Sequence, residues 1–175
     1  MKNVMLDIET LGLKPGAVVL SIAAVEFDLE TGKIGKQFYQ KIDLQDSLKK
    51  GLTIDASTLL WWSKLDHFTD QLHGDFKLKK VLENFSEWIG GREGDICLWG
   101  NSARFDLSHM DHLYGVSKLY VPWRHWNERD VRTLVSFAPE IKKAEKFEGV
   151  AHNPLDDCKH QIKYCCKIWD KILKD

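Results

Sequence analysis

Apolar residues in the first part of the chain follow the pattern of sheet strands. Three mainly apolar stretches predict strands over residues 2–8, 17–28 and 35–43. Because the links between them are short, we expect an antiparallel meander. A further apolar stretch predicts a buried strand over residues 95–100.

The last helix has the clearest pattern in the chain. Asn153 is a preferred N-cap and Pro154 a preferred first helical residue. The apolar positions that follow repeat at spacings of three and four, which is typical of one buried helix face: Leu155, Cys158, Ile162, Cys165, Trp169 and Ile172.

Similar spacings predict the other helices. One starts near Asp55 or Ser57, and a second is capped by Asp75 and ends at Gly90-Gly91. Two more are predicted over residues 104–114, closed by Gly115, and over residues 130–137, whereas the charged segment 138–151 is expected to be a mobile connection.

These elements predict an α/β fold. Strands first, then alternating helix, strand and helix, favour a mixed sheet with helices on its faces. The chain has 175 residues, 43% of them hydrophobic, and no repeat or linker, so we expect one domain over residues 1–175. The net charge of −1 argues against long non-specific tracking along DNA. Without a long apolar run or a signal peptide pattern, we expect no membrane association and a cytoplasmic location.

Four acidic residues are candidates for a metal site. Asp7 and Glu9 are two apart on a predicted strand, so both carboxylates project from one face. Asp106 shares a helix face with His109 and Met110, where an acid is costly unless it is paired or coordinated. Alternatively, Asp7 and Glu9 lie at a solvent-exposed strand end, and Asp106 is stabilised by the helix dipole in the first turn of its helix.

Asp157 and His152 complete the set. At about 100° per residue, Asp157 lies nearer to the apolar face of the last helix than Asp156. Asp156 is expected to be solvated or to interact with the helix dipole in the first turn. His152 precedes the helix cap on a loop, where a histidine suits a general base. Four carboxylates are enough to hold two Mg²⁺ or Mn²⁺ ions, and two such ions about 3.5–4 Å apart hydrolyse phosphodiesters.

Three segments resemble the exonuclease motifs of the DEDD superfamily: LDIET, GNSARFD and HNPLDD. His152, five residues before Asp157, resembles the histidine subclass, DEDDh. The segments STLLWWSK and WNERDVRTL are similar to the group that contains phage exonuclease A and bacterial DEDDh exoribonucleases.

The resemblance implies a ribonuclease H-like fold and removal of single nucleotides, as 5′-monophosphates, from 3′ ends. It implies Asp7, Glu9 and Asp157 on the first metal ion, Asp7 and Asp106 around the second, and His152 as the base. Members are often homodimers, so a second copy of the chain is expected as a possible partner. Single-stranded RNA or DNA ends are the expected substrates, with RNA favoured by the chain's length.

Four further residues are candidates for substrate contact. Trp61 and Trp62 are adjacent on a predicted helix, so we expect one to pack and the other to stack on a terminal base; packing of both is the alternative. The resemblance implies that Thr10 and Leu11 present a backbone N–H and an apolar wedge to the 3′ end.

Two other functional classes are less favoured. A non-catalytic nucleic-acid adaptor on the same fold should lack part of the carboxylate set, which is complete here. An endonuclease would share metal-binding acids, but HNPLDD fits the exonuclease group better.

Overall fold

One five-stranded mixed sheet forms the centre of the molecule. The structure, a computed structural model, describes residues 2–66, 68–91 and 95–174. The strands lie in the order β3-β2-β1-β4-β5. The first three are antiparallel, and β4 and β5 run parallel to β1. Their bounds are β1 Lys2–Thr10, β2 Val19–Phe27, β3 Ile34–Lys41, β4 Ile96–Gly100 and β5 Glu128–Asp130. The predicted meander and mixed sheet are confirmed; the short strand β5 was not predicted.

Helices cover both faces of the sheet. In chain order they are α1 Leu44–Lys49, α2 Ala56–Trp62, α3 Phe68–Gln71, α4 Leu78–Ile89, α5 Ala103–Val116, α6 Val131–Val135, α7 Pro139–Ala144 and α8 Pro154–Lys174. Residues of β1 alternate between two cores: Leu6 and Ile8 pack on the α4 and α5 side, and Met5 packs on the α8 side. Among the described residues, no helix is both long and apolar enough to cross a bilayer.

Two helix ends differ from the prediction. Asp75 does not cap α4, whose N-cap residue is Lys77; instead the N–H of Leu78 donates to the carboxylate of Asp46 at 3.0 Å. Gly90 ends α4 with a φ of 89°, as predicted. Gly115 lies inside α5, which continues to Val116, because the helix-breaking cost of one glycine is small beside the packing of a long helix.

The segment 138–151, expected to be a mobile connection, contains the helix α7, which was not predicted. Its glutamates pair with lysines of α8, as Glu140 with Lys171, Glu145 with Lys167, and Glu148 with Lys163. The lysines are four residues apart and share one helix face. These ion pairs hold the segment against α8 up to the loop that carries His152.

Candidate active site

Asp7 and Glu9 lie near the end of β1, the central strand of the sheet. Neighbouring Leu6 and Ile8 face the core on the opposite side, so strand alternation directs both acids toward α8. Glu9 is buried and Asp7 is half-buried. The backbone of one strand therefore places two carboxylates together at a partly closed surface.

Asp157 reaches the same place from the first turn of α8. Its carboxylate oxygen and those of Asp7 and Glu9 all lie within 4.8 Å of one another. The carboxylate also accepts a hydrogen bond from the backbone N–H of His152. The predicted cap fixes this turn, since Oδ1 of Asn153 accepts from the N–H of Leu155 at 3.1 Å.

Asp156 is half-buried in the first turn of α8, so of the two expectations for this residue the fully solvated one was wrong. Its carboxylate accepts from the N–H of Val150 at 3.0 Å and lies 3.7 Å from Lys159. Asp156 therefore ties the incoming loop to α8, whereas Asp157 faces the other acids.

Asp106 approaches from α5 and is 2% exposed. Its Oδ2 accepts from the N–H of Asn101 at 2.9 Å. Gly100 makes this approach possible, because a Cβ at that position would stand 2.9 Å from the same oxygen. The start of α5 is further fixed to β5, since the N–H of Ala103 donates to Oδ2 of Asp130 at 2.9 Å.

Burial raises the pKa values of all four acids, and repulsion by the other acids of the set adds to the rise for Asp7 and Glu9. Burial is the main cause for Glu9, whose pKa rises to about 9 with help from the charges of Asp157 and Asp106. Burial also raises the pKa of Asp106 to about 7 and that of Asp157 to about 6. The pKa of Asp7 is raised well above its ordinary value by burial and then by the charge of Asp106. Such a set favours a bound cation, which compensates the repulsion.

Gln161 is a polar neighbour of the cluster that the sequence interpretation missed. Its Nε2 donates to Oδ1 of Asp7 at 2.9 Å, and the residue is buried. Gln161 lies four residues after Asp157, so both project from the same face of α8 toward β1. That spacing was visible in the sequence.

His152 precedes α8 and is half-buried, with a φ of 63°. Its ring meets the ring of Trp61 edge to face, with centroids 4.8 Å apart, and lies 6.2 Å from that of Trp62. His152 therefore lies between the acids and the two tryptophans of α2. Its backbone N–H contacts Asp157, and its ring contacts the tryptophan rings.

The two tryptophans have different environments. Trp62 is 1% exposed, and its Nε1 donates to the carbonyl of Thr10 at 2.9 Å. Trp61 is 43% exposed and lines a cavity of about 410 Å³ together with Glu9, Thr10 and Leu13. We call this cavity the tryptophan pocket. It opens directly beside the acids, because Glu9 belongs to both.

Leu11 was wrongly predicted to be an apolar wedge. Its side chain is fully buried and its N–H donates to the carbonyl of Val18 at 2.8 Å. The pairing register shifts between Glu9 and Thr10, so side-chain alternation does not continue past the acids. Leu13, which is 70% exposed, is the apolar side chain that this segment presents to the pocket.

Comparison with known families decides the class of this site. Residues 2–169 match the 3′-5′ exoribonuclease Rv2179c-like domain. The chain belongs to this family. It is therefore a member of the 3′-5′ exonucleases, and the resemblance to DEDDh enzymes is confirmed.

Solved structures agree with the family in fold. The nuclease domain of 3′hExo, a DEDDh family member bound to rAMP, superposes with a TM-score of 0.68 at 14% identity, over 97% of this chain and 92% of that one. The Escherichia coli ExoI–ssDNA complex gives 0.68 at 15% identity, with 99% of this chain matching 40% of ExoI. The cell-death related nuclease CRN-4 gives 0.60 at 17% identity, with 99% of this chain matching 64% of CRN-4. The ribonuclease H-like fold is thus confirmed. A comparison with curated proteins finds no match.

Proposed function

We propose that the protein removes nucleotides one at a time from the 3′ end of single-stranded RNA and releases nucleoside 5′-monophosphates. The observation that carries this proposal is the convergence of Asp7, Glu9 and Asp157 within 4.8 Å, beside a pocket with an exposed tryptophan. The description of the family as exoribonucleases favours RNA over DNA.

We infer that the site binds two divalent ions of the Mg²⁺ or Mn²⁺ type. These hard cations prefer carboxylate oxygens, and the acids lie together in a buried setting that raises their pKa values. Asp7, Glu9 and Asp157 would hold one ion; Asp7 and Asp106 would hold the other. Bound ions would activate the attacking water and neutralise charge on the phosphate.

The protein's own groups supply the rest of the chemistry. We assign the general-base role to His152, whose imidazole accepts a proton from water. The edge-to-face contact with Trp61 and the backbone N–H bond to Asp157 hold the residue beside the acids. Gln161 donates to one oxygen of Asp7 and so restrains the carboxylate, which would offer an oxygen to a cation.

The tryptophan pocket suits the terminal nucleoside. The exposed ring of Trp61 can stack on a base, and such stacking tolerates any base. Trp62 is buried and contacts the Trp61 ring edge to face, with the two ring centroids 5.2 Å apart. Thr10 borders the pocket, and its hydroxyl donates to the carbonyl of Gly12 at 2.8 Å.

Direction of cleavage is tested with a 5′-labelled and a 3′-labelled copy of one oligoribonucleotide and Mn²⁺. We expect the 5′-labelled copy to give a ladder that shortens from the 3′ end and the 3′-labelled copy to release only labelled mononucleotide, whereas internal cuts would release longer 3′-labelled fragments. Internal cuts would indicate an endonuclease, and an intact oligonucleotide would indicate a binding protein without catalysis. Either result would overturn the proposal.

DNA is the alternative substrate, because the ExoI structure of the same fold is a complex with ssDNA. Matched RNA and DNA oligonucleotides of one sequence separate the two possibilities. We expect a higher kcat/KM for RNA. A higher value for DNA would make the protein a 3′-5′ exodeoxyribonuclease that uses the same acids.

A further inference from the structure

A second cavity, of about 780 Å³, adjoins the tryptophan pocket and has a different character. Leu13 and Phe105 line both cavities and so form the ridge between them. Beyond this ridge the lining contains three cations: Lys14, Arg104 and Arg132. We call this second cavity the basic groove.

The basic groove is locally positive, whereas the whole chain carries a net charge of −1. Its lining has no carboxylate, and Lys14, Arg104 and Arg132 are all exposed. Within the described part of the chain, none of the three side chains forms a salt bridge of 4.0 Å or less. The positive charge of Arg132 partly offsets the rise that burial causes in the pKa of Asp106.

Asn101 adds an independent sign of a ligand. Its Oδ1 is buried at the groove and has no hydrogen-bond partner among the described residues. A buried acceptor without a donor is costly unless a ligand or water satisfies it. A ribose 2′-hydroxyl is such a donor, and it is absent from DNA.

We propose that the basic groove binds the sugar-phosphate backbone of the RNA nucleotides upstream of the scissile bond. This inference rests on the proposed function and specifies it. The terminal nucleoside occupies the tryptophan pocket, Leu13 and Phe105 separate it from the next base, and the strand leaves across Lys14 and Arg104. Cations contact phosphates regardless of sequence, so the groove confers affinity for a longer strand rather than for a base.

The test compares substrates with and without upstream phosphates. A dinucleoside monophosphate has only the scissile phosphate, whereas an eight-nucleotide RNA has several more. In the double variant Lys14→Gln/Arg104→Gln we expect the KM of the longer RNA to rise about tenfold, as for two exposed charge contacts. The KM of the dinucleoside monophosphate and both kcat values should stay unchanged. Arg132 is left unchanged in this variant because its positive charge lowers the pKa of Asp106.

The control removes the same charge elsewhere. Lys36 on β3 and Lys79 on α4 are exposed and line neither cavity, so Lys36→Gln/Lys79→Gln should leave every KM unchanged. The salt dependence gives a second readout. The slope of log KM for the long RNA against log salt should fall by about 0.7 for each lost phosphate contact.

Asn101 is tested by its effect on sugar choice. Asn101→Ala should lower the ratio of kcat/KM for RNA to that for matched DNA, whereas Lys14→Gln/Arg104→Gln, the cation variant, should leave this ratio unchanged.

Equal KM values for the long RNA in wild type and the cation variant would overturn the inference, as would an equal loss on the dinucleoside monophosphate. An unchanged RNA to DNA ratio in Asn101→Ala would overturn the sugar contact. An inactive wild-type enzyme would instead overturn the proposed function.

Discussion

At the scale of single residues, three acids of the site each accept a hydrogen bond from a donor of their own. Asp7 accepts from Nε2 of Gln161, Asp106 accepts from the N–H of Asn101, and Asp157 accepts from the backbone N–H of His152. These contacts orient the carboxylates for cation binding.

Gln161 is expected to position Asp7 for cation binding. Gln161→Leu keeps the side-chain size but removes the donor at 2.9 Å from Asp7, a bond that lowers the pKa of that acid. We expect Mn²⁺ affinity, measured by calorimetry, to fall by about 10–100-fold. Exposed Gln37 on β3 provides the matched control, as Gln37→Leu. An affinity equal to that of the wild type would show that Gln161 does not position the acid.

His152 is expected to act on the rate rather than on cation binding. Its φ of 63° is unfavourable for alanine but tolerated by asparagine, so His152→Asn is the better variant. Loss of a general base should lower kcat by about 10²–10⁴-fold, with Mn²⁺ affinity nearly unchanged. If Mn²⁺ affinity fell together with kcat, His152 would be a metal ligand instead.

The sequence indicated part of this arrangement. Strand alternation predicted that Asp7 and Glu9 share one face, and helix geometry predicted that Asp157 lies nearer the packed side than Asp156. The apolar wedge expected of Leu11 came from the resemblance, and it does not fit a side chain that is fully buried. The register shift after Glu9 depends on the partner strand, so a single sequence does not show it.

At the scale of elements, α8 is both the best-predicted helix and the one that carries most of the site. Its apolar spacing and its cap were evident in the sequence, and it presents Asp157 and Gln161 to β1. Helix α7 and its ion pairs were missed, because pairs such as Glu145 with Lys167 join segments whose contact no local pattern encodes. Strand β5 is too short, at three residues, for a periodic pattern.

The cap of α8 should affect both stability and the site. Asn153→Ala removes the acceptor for the N–H of Leu155, which should lower the free energy of unfolding by about 1 kcal/mol. Mn²⁺ affinity should also weaken, since Asp157 lies in the turn that the cap fixes. Urea denaturation and calorimetry measure the two effects. Asn153→Ser retains a capping oxygen and should stay near the wild type; equal losses in both variants would rule out the cap as the cause.

At the scale of the whole molecule, the acids make the cation-free protein sensitive to pH. The pKa values of Glu9, Asp106 and Asp157 are raised to about 9, 7 and 6, so the folded state binds more protons than the unfolded chain. The stabilisation is full below the ordinary carboxyl values and is lost as pH rises toward about 9. We therefore expect the Tm in EDTA to fall from about pH 5 to about pH 9.

Mg²⁺ should reverse this loss, because an ion that binds only the folded state stabilises it. The gain in Tm on adding Mg²⁺ should be larger near pH 8 than near pH 5, where protons compete for the acids. Glu9→Gln should show a smaller fall in EDTA. A Tm in EDTA that is constant or rises over the same range would contradict the raised pKa values.

The most direct measurement compares the wild type with Asp157→Asn on a 5′-labelled oligoribonucleotide in Mg²⁺. The change removes one carboxylate charge, and it relieves repulsion in the cation-free fold, so the folded state should persist. We predict a 3′-shortening ladder for the wild type and no cleavage for Asp157→Asn, with unchanged circular dichroism. Cleavage by Asp157→Asn at the wild-type rate would contradict the account.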